Sequence, residues 1–169
     1  MRKLTFLALA ALFMASVFVS SCNKNEDPDW EEYVKELEKM HIAELDSLKA
    51  YIARENISET PSKTGLYKIV LKEGTGDATA CKKVVTVHYI GSLLNGKEFD
   101  NSYKREKPIT FQHGLNSMIP GFEEGIGTMK KGEKARLIFP SDLGYGVHGN
   151  KNIPPFSSLI FDVEVVDFK

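Results

Sequence analysis

Residues 61–169 predict an α+β domain, a curved antiparallel β-sheet wrapped around one short α-helix, and a long N-terminal helix precedes it. Three observations lead there. Several runs after residue 66 alternate apolar and polar side chains with period two, which suits strands with one buried and one wet face. Only residues 119–126 in that half carry helix chemistry, with Pro120 near the first turn and Phe122 and Ile126 four apart. Before the domain, residues 30–56 repeat apolar side chains every three to four positions.

The elements follow in chain order. Met1-Arg2-Lys3 and the apolar run from Leu4 to Val19 read as a secretory signal peptide over residues 1–21, the alternative being an uncleaved anchor. Val19-Ser20-Ser21-Cys22 resembles a bacterial lipobox, so Cys22 is the expected lipidation site; the alternative is a disulfide between Cys22 and Cys81. Residues 22–29 then form a lipidated polar tether that would hold the chain on a membrane without spanning it. That places the protein in the cell envelope, on the periplasmic side of the outer membrane or at the cell surface.

Residues 30–60 are the acidic amphipathic helix and its linker. Asp27 or Asp29 with Pro28 supplies start chemistry, and Val34, Leu37, Met40 or His41, Leu45, Leu48 and Ile52 form the stripe. Three covers for that stripe stay open: a second copy, giving a homodimer through residues 30–56, the body of the domain, or none, in a solvated spacer. Residues 57–65 are rich in turn formers and mark the boundary. Strands are expected over residues 66–71, 84–92, 134–139 and 159–168, with Asn95-Gly96 as a type I′ hairpin signal.

Charge supports the division. The 169 residues carry 22 Lys plus Arg and 23 Asp plus Glu, but residues 22–60 hold five bases and 11 acids, whereas residues 61–169 hold 15 and 12. Near-neutrality argues against nucleic acid as a partner, and the near-average composition excludes collagenous, wholly disordered and disulfide-stapled classes.

Templates for covalent and metal chemistry fail. Gly127 and Gly132 have P-loop spacing, but Glu133 and Lys134 stand where Lys and Ser/Thr are required. CxxC, HExxH and GxSxG do not occur, and His88, His113 and His148 lack metal spacing, so no metal and no cofactor are expected. What stands out instead is a set of aromatic and aliphatic residues at loops and strand ends. Tyr145 is notable within Leu143-Gly144-Tyr145-Gly146, because a glycine-rich loop offers little burial and a phenol has a polar end.

Six collinear motifs then carry a resemblance. Val84-Val85-Thr86-Val87-His88-Tyr89-Ile90-Gly91, Asn95-Gly96-Lys97-Glu98-Phe99-Asp100-Asn101-Ser102, Ile119-Pro120-Gly121-Phe122-Glu123-Glu124-Gly125, Tyr145-Gly146, Ile153-Pro154-Pro155 and Leu159-Ile160-Phe161-Asp162-Val163-Glu164 are similar to the FKBP-type peptidyl-prolyl cis-trans isomerases. The resemblance implies a half-open sheet around a short helix with a shallow apolar pocket, acting on proline-containing unfolded or exported polypeptides. It implies that Asp100, Tyr145 and Phe99 serve catalysis and that Tyr89, Met118, Ile119, Phe122, Ile153 and Phe161 bind substrate. Macrolide inhibitors of the FKBP type are a further implied ligand. Asp100 also has a plainer reading, as a turn-capping carboxylate after the hairpin. Phe122 stands where the family most often has tryptophan, Ile109 where it often has phenylalanine, and the segment from Gly146 to Pro154 is one residue shorter than in the best-known members. A non-catalytic proline-binding or chaperone module is the alternative function.

Overall fold

The structure, a computed structural model, describes residues 30–79 and 83–169. The expected signal peptide over residues 1–21, Cys22, the expected tether over residues 22–29 and Cys81 lie outside the described residues.

Helix α1 spans Trp30–Arg54 and stops two residues short of the expected end. Its stop is a C-terminal cap. Asn56 takes φ 53°, a left-handed conformation that asparagine tolerates, while Asn56 N–H donates to the Ala53 carbonyl and Ile57 N–H donates to the Ile52 carbonyl. Ile52 and Ile57 then pack together onto the cluster below.

Strands β1 (Tyr67–Lys72), β2 (Thr75–Ala78), β3 (Val84–Leu93), β4 (Glu98–Asn101) and β5 (Ile109–Gln112) come first. Helix α2 (Pro120–Gly127) and strands β6 (Lys130–Lys131), β7 (Lys134–Phe139) and β8 (Leu159–Phe168) follow. The main sheet runs β1-β7-β8-β3-β4, with β5 also on β3 and every pairing antiparallel; β2 and β6 form a separate ribbon. Strand β3 thus carries β5 beside its first half and β4 beside its second. The connection to β4 differs from the expected mirror-image turn. Of Asn95 and Gly96 only Gly96 has positive φ, at 82°, and Leu93 pairs with Lys97 across a three-residue loop closed by that glycine.

Alternation puts Val85, Val87, Tyr89, Leu137, Phe139, Phe161, Val163 and Val165 on the concave face, where they bury against Phe122, Ile126 and Met129. The opposite face is not uniformly wet. Ile138 and Ile160 on it are covered by Leu48 and Tyr51 of α1, with Tyr67, Ile69 and Leu94 around them. Of the three covers left open for the helix, the body of the domain takes its C-terminal half. The seam runs Leu37, His41, Glu44, Leu48 and Tyr51, alternating four- and three-residue steps, and is deepest at Glu44, Leu48 and Tyr51. Burying an aliphatic side chain of this size contributes roughly 1.5–3 kcal/mol. Trp30, Tyr33 and Val34 overhang the domain, exposed. Among the described residues no helix is long and apolar enough to cross a membrane.

Helix α2 sits close to the sheet because its inner face carries glycines. A Cβ at Gly121 would lie 2.6 Å from two ring carbons of Phe139, which is itself fully buried and cannot withdraw. Gly121→Ala should therefore lower stability by about 1–3 kcal/mol through overpacking. The measurement is a fall in the urea midpoint at unchanged m-value.

Candidate functional site

A cleft of about 830 Å³ opens between the end of α2 and the sheet, and its wall contains Tyr89, Phe99, Asp100, Met118, Ile119, Phe122, Tyr145, Ile153 and Phe161. Nine site residues named from the sequence are thus brought together from β3, β4, the segment before α2, α2 itself, the 141–158 loop and β8. Cys22, the tenth, lies outside the described residues. Ile109, Asn116, Ser117, Pro120 and residues 150–152 complete the lining.

The floor is made of rings set edge to face. Phe122 is 3% exposed, and its ring lies 5.1 Å from Phe161 at 64° and 5.6 Å from Tyr89 at 76°. Phe99 meets Phe161 at 5.6 Å and 76°. In these arrangements positive ring edges point at negative ring faces, which favours them over stacked sandwiches. They require a gap in β3. Gly91 sits opposite both Asp100 and Phe161, and a Cβ there would lie 2.5 Å from the Phe99 ring and 3.1 Å from that of Phe161. A larger residue at position 91 would push those two rings apart.

One rim is charged. Asp100 accepts from the Tyr89 hydroxyl and from Arg105 Nη1, and Asn101 N–H donates to it at 2.8 Å. Arg105 Nη2 also donates to the Tyr89 oxygen at 3.1 Å, and the guanidinium lies 5.7 Å from the Tyr89 ring centre. Burial alone would push the Asp100 carboxyl up, but the bonds from Tyr89, Arg105 and Asn101 N–H outweigh it and hold the group below the usual range. Burial and the Asp100 bond together push the Tyr89 phenol above its ordinary value, against the opposing pull of Arg105. The result is an ionised carboxylate beside a neutral phenol. The turn reading of Asp100 has support in the same place, since its Oδ1 bonds the next residue's N–H.

The other rim offers donors. Tyr145 lies between two short 3₁₀ turns, Ser141–Leu143 and Gly146–His148, and is half-buried. Among the described residues neither its hydroxyl nor the Ile119 N–H has a hydrogen-bond partner.

Sequence reasoning missed Glu123. Its buried carboxylate accepts from the N–H groups of Gly114 at 3.0 Å, Ser117 at 2.7 Å and Met118 at 3.1 Å, which shapes the segment presenting Met118 and Ile119. His113 Nε2 lies 3.0 Å from the Glu123 carbonyl oxygen and closes the same segment from behind. The available signal was an acid in the first turn of a helix, placed to reach back to preceding N–H groups. Among the described residues no three His, Cys, Asp or Glu side chains converge as a metal-binding group.

Known proteins are similar to this chain in sequence and fold. The family model for FKBP-type peptidyl-prolyl cis-trans isomerase matches residues 76–166. The chain is 47% identical over 108 residues to the FKBP-type peptidyl-prolyl cis-trans isomerase FkpA of Escherichia coli K12, a match covering 64% of this chain and 39% of that protein. It therefore spans about two fifths of that relative's length. It is 46% identical over 97 residues to the FK506-binding protein of Neisseria meningitidis serogroup B, covering 57% of this chain and 89% of that one. The crystal structure of FkpA from Escherichia coli superposes with a TM-score of 0.70 at 36% identity, over 87% of this chain and 75% of that one. With more than half of the chain inside the family model and the same fold in a solved relative, this chain belongs to the FKBP-type peptidyl-prolyl cis-trans isomerase family.

Proposed function

We propose that the cleft catalyses cis-trans isomerisation of X-Pro bonds in exported polypeptides. The observation that carries this reading is the pairing of a buried aromatic floor with two donors, the Tyr145 hydroxyl and the Ile119 N–H, that have no partner among the described residues, in a cleft where those residues form no nucleophile and base pair.

Rotation about X-Pro faces a barrier of roughly 18–20 kcal/mol, because amide resonance must be broken. In the twisted state the carbonyl carries less charge and the nitrogen becomes pyramidal. Moving the bond from water into an apolar cleft therefore penalises the planar amide more than the twisted one, and this difference is the catalysis. Lowering the barrier by about 5 kcal/mol raises the rate by between 10³ and 10⁴. Tyr89, Ile119, Phe122 and Phe161 hold the proline ring, with Met118 and Ile153 at its flanks. Tyr145 and the Ile119 N–H bond substrate carbonyls, while Asp100 and Phe99 form the wall beside the rotating bond. As the family resemblance implies, macrolides of the FKBP type would compete with substrate there.

The reading extends to placement. Lipidation at Cys22 would put the cleft in the cell envelope, at the periplasmic side of the outer membrane or the cell surface, where slow X-Pro steps of tens of seconds delay maturation. Trp30, Tyr33, Val34, Met40 and Ile42, exposed on α1, leave residues 30–56 open to a homodimer contact. Mass spectrometry of the mature N-terminus should find a diacylated or triacylated Cys22; an unmodified peptide beginning elsewhere would refute the anchor.

A refolding or protease-coupled assay on X-Pro peptides should show turnover above the uncatalysed rate. Binding without turnover would favour the alternative, a proline-binding or chaperone module. Tyr145→Phe should lower kcat/KM about tenfold, the value of one hydrogen bond made in the transition state. Asp100→Val should cost at least as much, since it removes the carboxylate to which both Tyr89 and Arg105 donate.

The pH dependence follows from the rim. A carboxyl whose folded pKa is lowered contributes stability that is complete above its unfolded value and is lost as pH falls through the folded one. Tyr89, raised, stays neutral on the alkaline side. The rate should therefore be flat from about pH 5 to about pH 8 and fall only below about pH 4. A bell centred near neutrality in the pH profile of kcat/KM would contradict this assignment.

A further inference from the structure

Helix α1 reaches the base of the loop that walls the cleft through one buried carboxylate that the mechanism does not use. Glu44 is 6% exposed, and among the described residues no cation pairs with it. It accepts from Ser141 N–H at 2.6 Å, from Ser141 Oγ at 2.6 Å and from Ser158 Oγ at 2.8 Å, and both serines are buried. A carboxylate out of water is tolerated only when several donors replace its hydration, so these three bonds hold each other in place. Ser141 and Ser158 are the two ends of the loop that carries Tyr145 and Ile153.

Between those ends the loop is tied to itself. Phe156 N–H donates to the Gly146 carbonyl at 3.0 Å, Gly149 N–H to that of Tyr145 at 3.2 Å, and Asn150 and Ile153 exchange bonds of 2.8 and 2.7 Å. These bonds tie the segment between its ends into one piece. One turn before Glu44, His41 stacks on Phe156 with ring centres 5.8 Å apart at 26°, and its Nε2 lies 3.2 Å from Asp142 Oδ2, off the line of a hydrogen bond. Phe156 holds φ at 49°, a left-handed conformation that bulky residues avoid without support from their surroundings.

We propose that Glu44 is a positioning residue for the cleft: by stapling Ser141 to Ser158 it sets the 141–158 loop, and with it Tyr145 and Ile153, in the geometry that receives an X-Pro segment. This rests on the isomerase reading of the cleft. It makes α1 part of the working domain, not only a spacer. Substitution at Glu44 would act on substrate affinity from the far side of the sheet, without touching substrate.

The test uses the full chain and the variants Glu44→Ala, Glu44→Gln and Ser158→Ala, with the tetrapeptide Ala-Leu-Pro-Phe as probe. Glu44→Ala should speed amide exchange in residues 142–157 about tenfold, as loss of one hydrogen bond would, with β3 and β8 unchanged. It should raise KM by a similar factor with kcat little altered. Glu44→Gln, which keeps the length and one acceptor, should restore part of both. If Glu44→Ala loses protection everywhere, Ser158→Ala, which removes a single bond, is read by the same two criteria. Unchanged loop exchange, or faster loop exchange at unchanged KM, would overturn the proposal. The wild-type turnover decides the isomerase reading separately, because loop exchange is measured on the free protein and keeps its meaning if that turnover is nil.

Discussion

An eight-residue helix is about 12 Å long, whereas the ten-residue strands β3 and β8 run about 34 Å, so α2 covers only part of the concave face it packs against. The constraint shapes everything around it. Toward its C-terminal end α2 closes a core with Ile126, Leu137 and Val165; at its N-terminal end Phe122 joins Phe161 and Tyr89 as the floor of a cleft. An apolar cavity needs this kind of shortfall, because a longer helix would fill it and a shorter one would leave too much apolar surface in water.

The two loops that finish the cleft face a problem of polar satisfaction. Irregular backbone buried near a core must find partners for its N–H groups, and here each loop receives a buried glutamate from a helix. Glu123 of α2 satisfies three N–H groups in the segment leading to Ile119. Glu44 of α1 satisfies one N–H and two hydroxyls at the base of the loop bearing Tyr145. Neither carboxylate meets the cleft, yet each fixes a segment that does. The carboxylate that does meet it, Asp100, is held ionised by Tyr89 and Arg105, so this rim keeps one state across neutral pH.

Long periodic elements were legible in the residues. The strands at 84–93, 134–139 and 159–168 and both helices lie where alternation or three-to-four spacing places them, because a run of several residues repeats its period often enough to be recognised. Strands β2, β4, β5 and β6 have two to four residues, too few for a period, and β2 is exposed throughout. The stripe of α1 was misdrawn for a related reason. Val34 and Met40 carry apolar side chains and are exposed, while Glu44 is charged and buried, so hydropathy ranks them the wrong way round. A glutamate reads as surface until the donors that receive it are known, and those donors lie about a hundred residues away in the chain.

By itself the sequence determined the class of the fold, the single short helix under the sheet and the identity of the aromatic residues, since these depend on side-chain type and local period. Only the tertiary structure decided what the helix before the domain packs against, which turn joins β3 to β4, and which carboxylates stand behind the loops. Those outcomes depend on contacts between residues far apart in the chain, such as Glu44 with Ser141 and Ser158 or Gly91 with Phe161. Local propensity holds no record of such pairs, because their energy exists only once both partners have left water together.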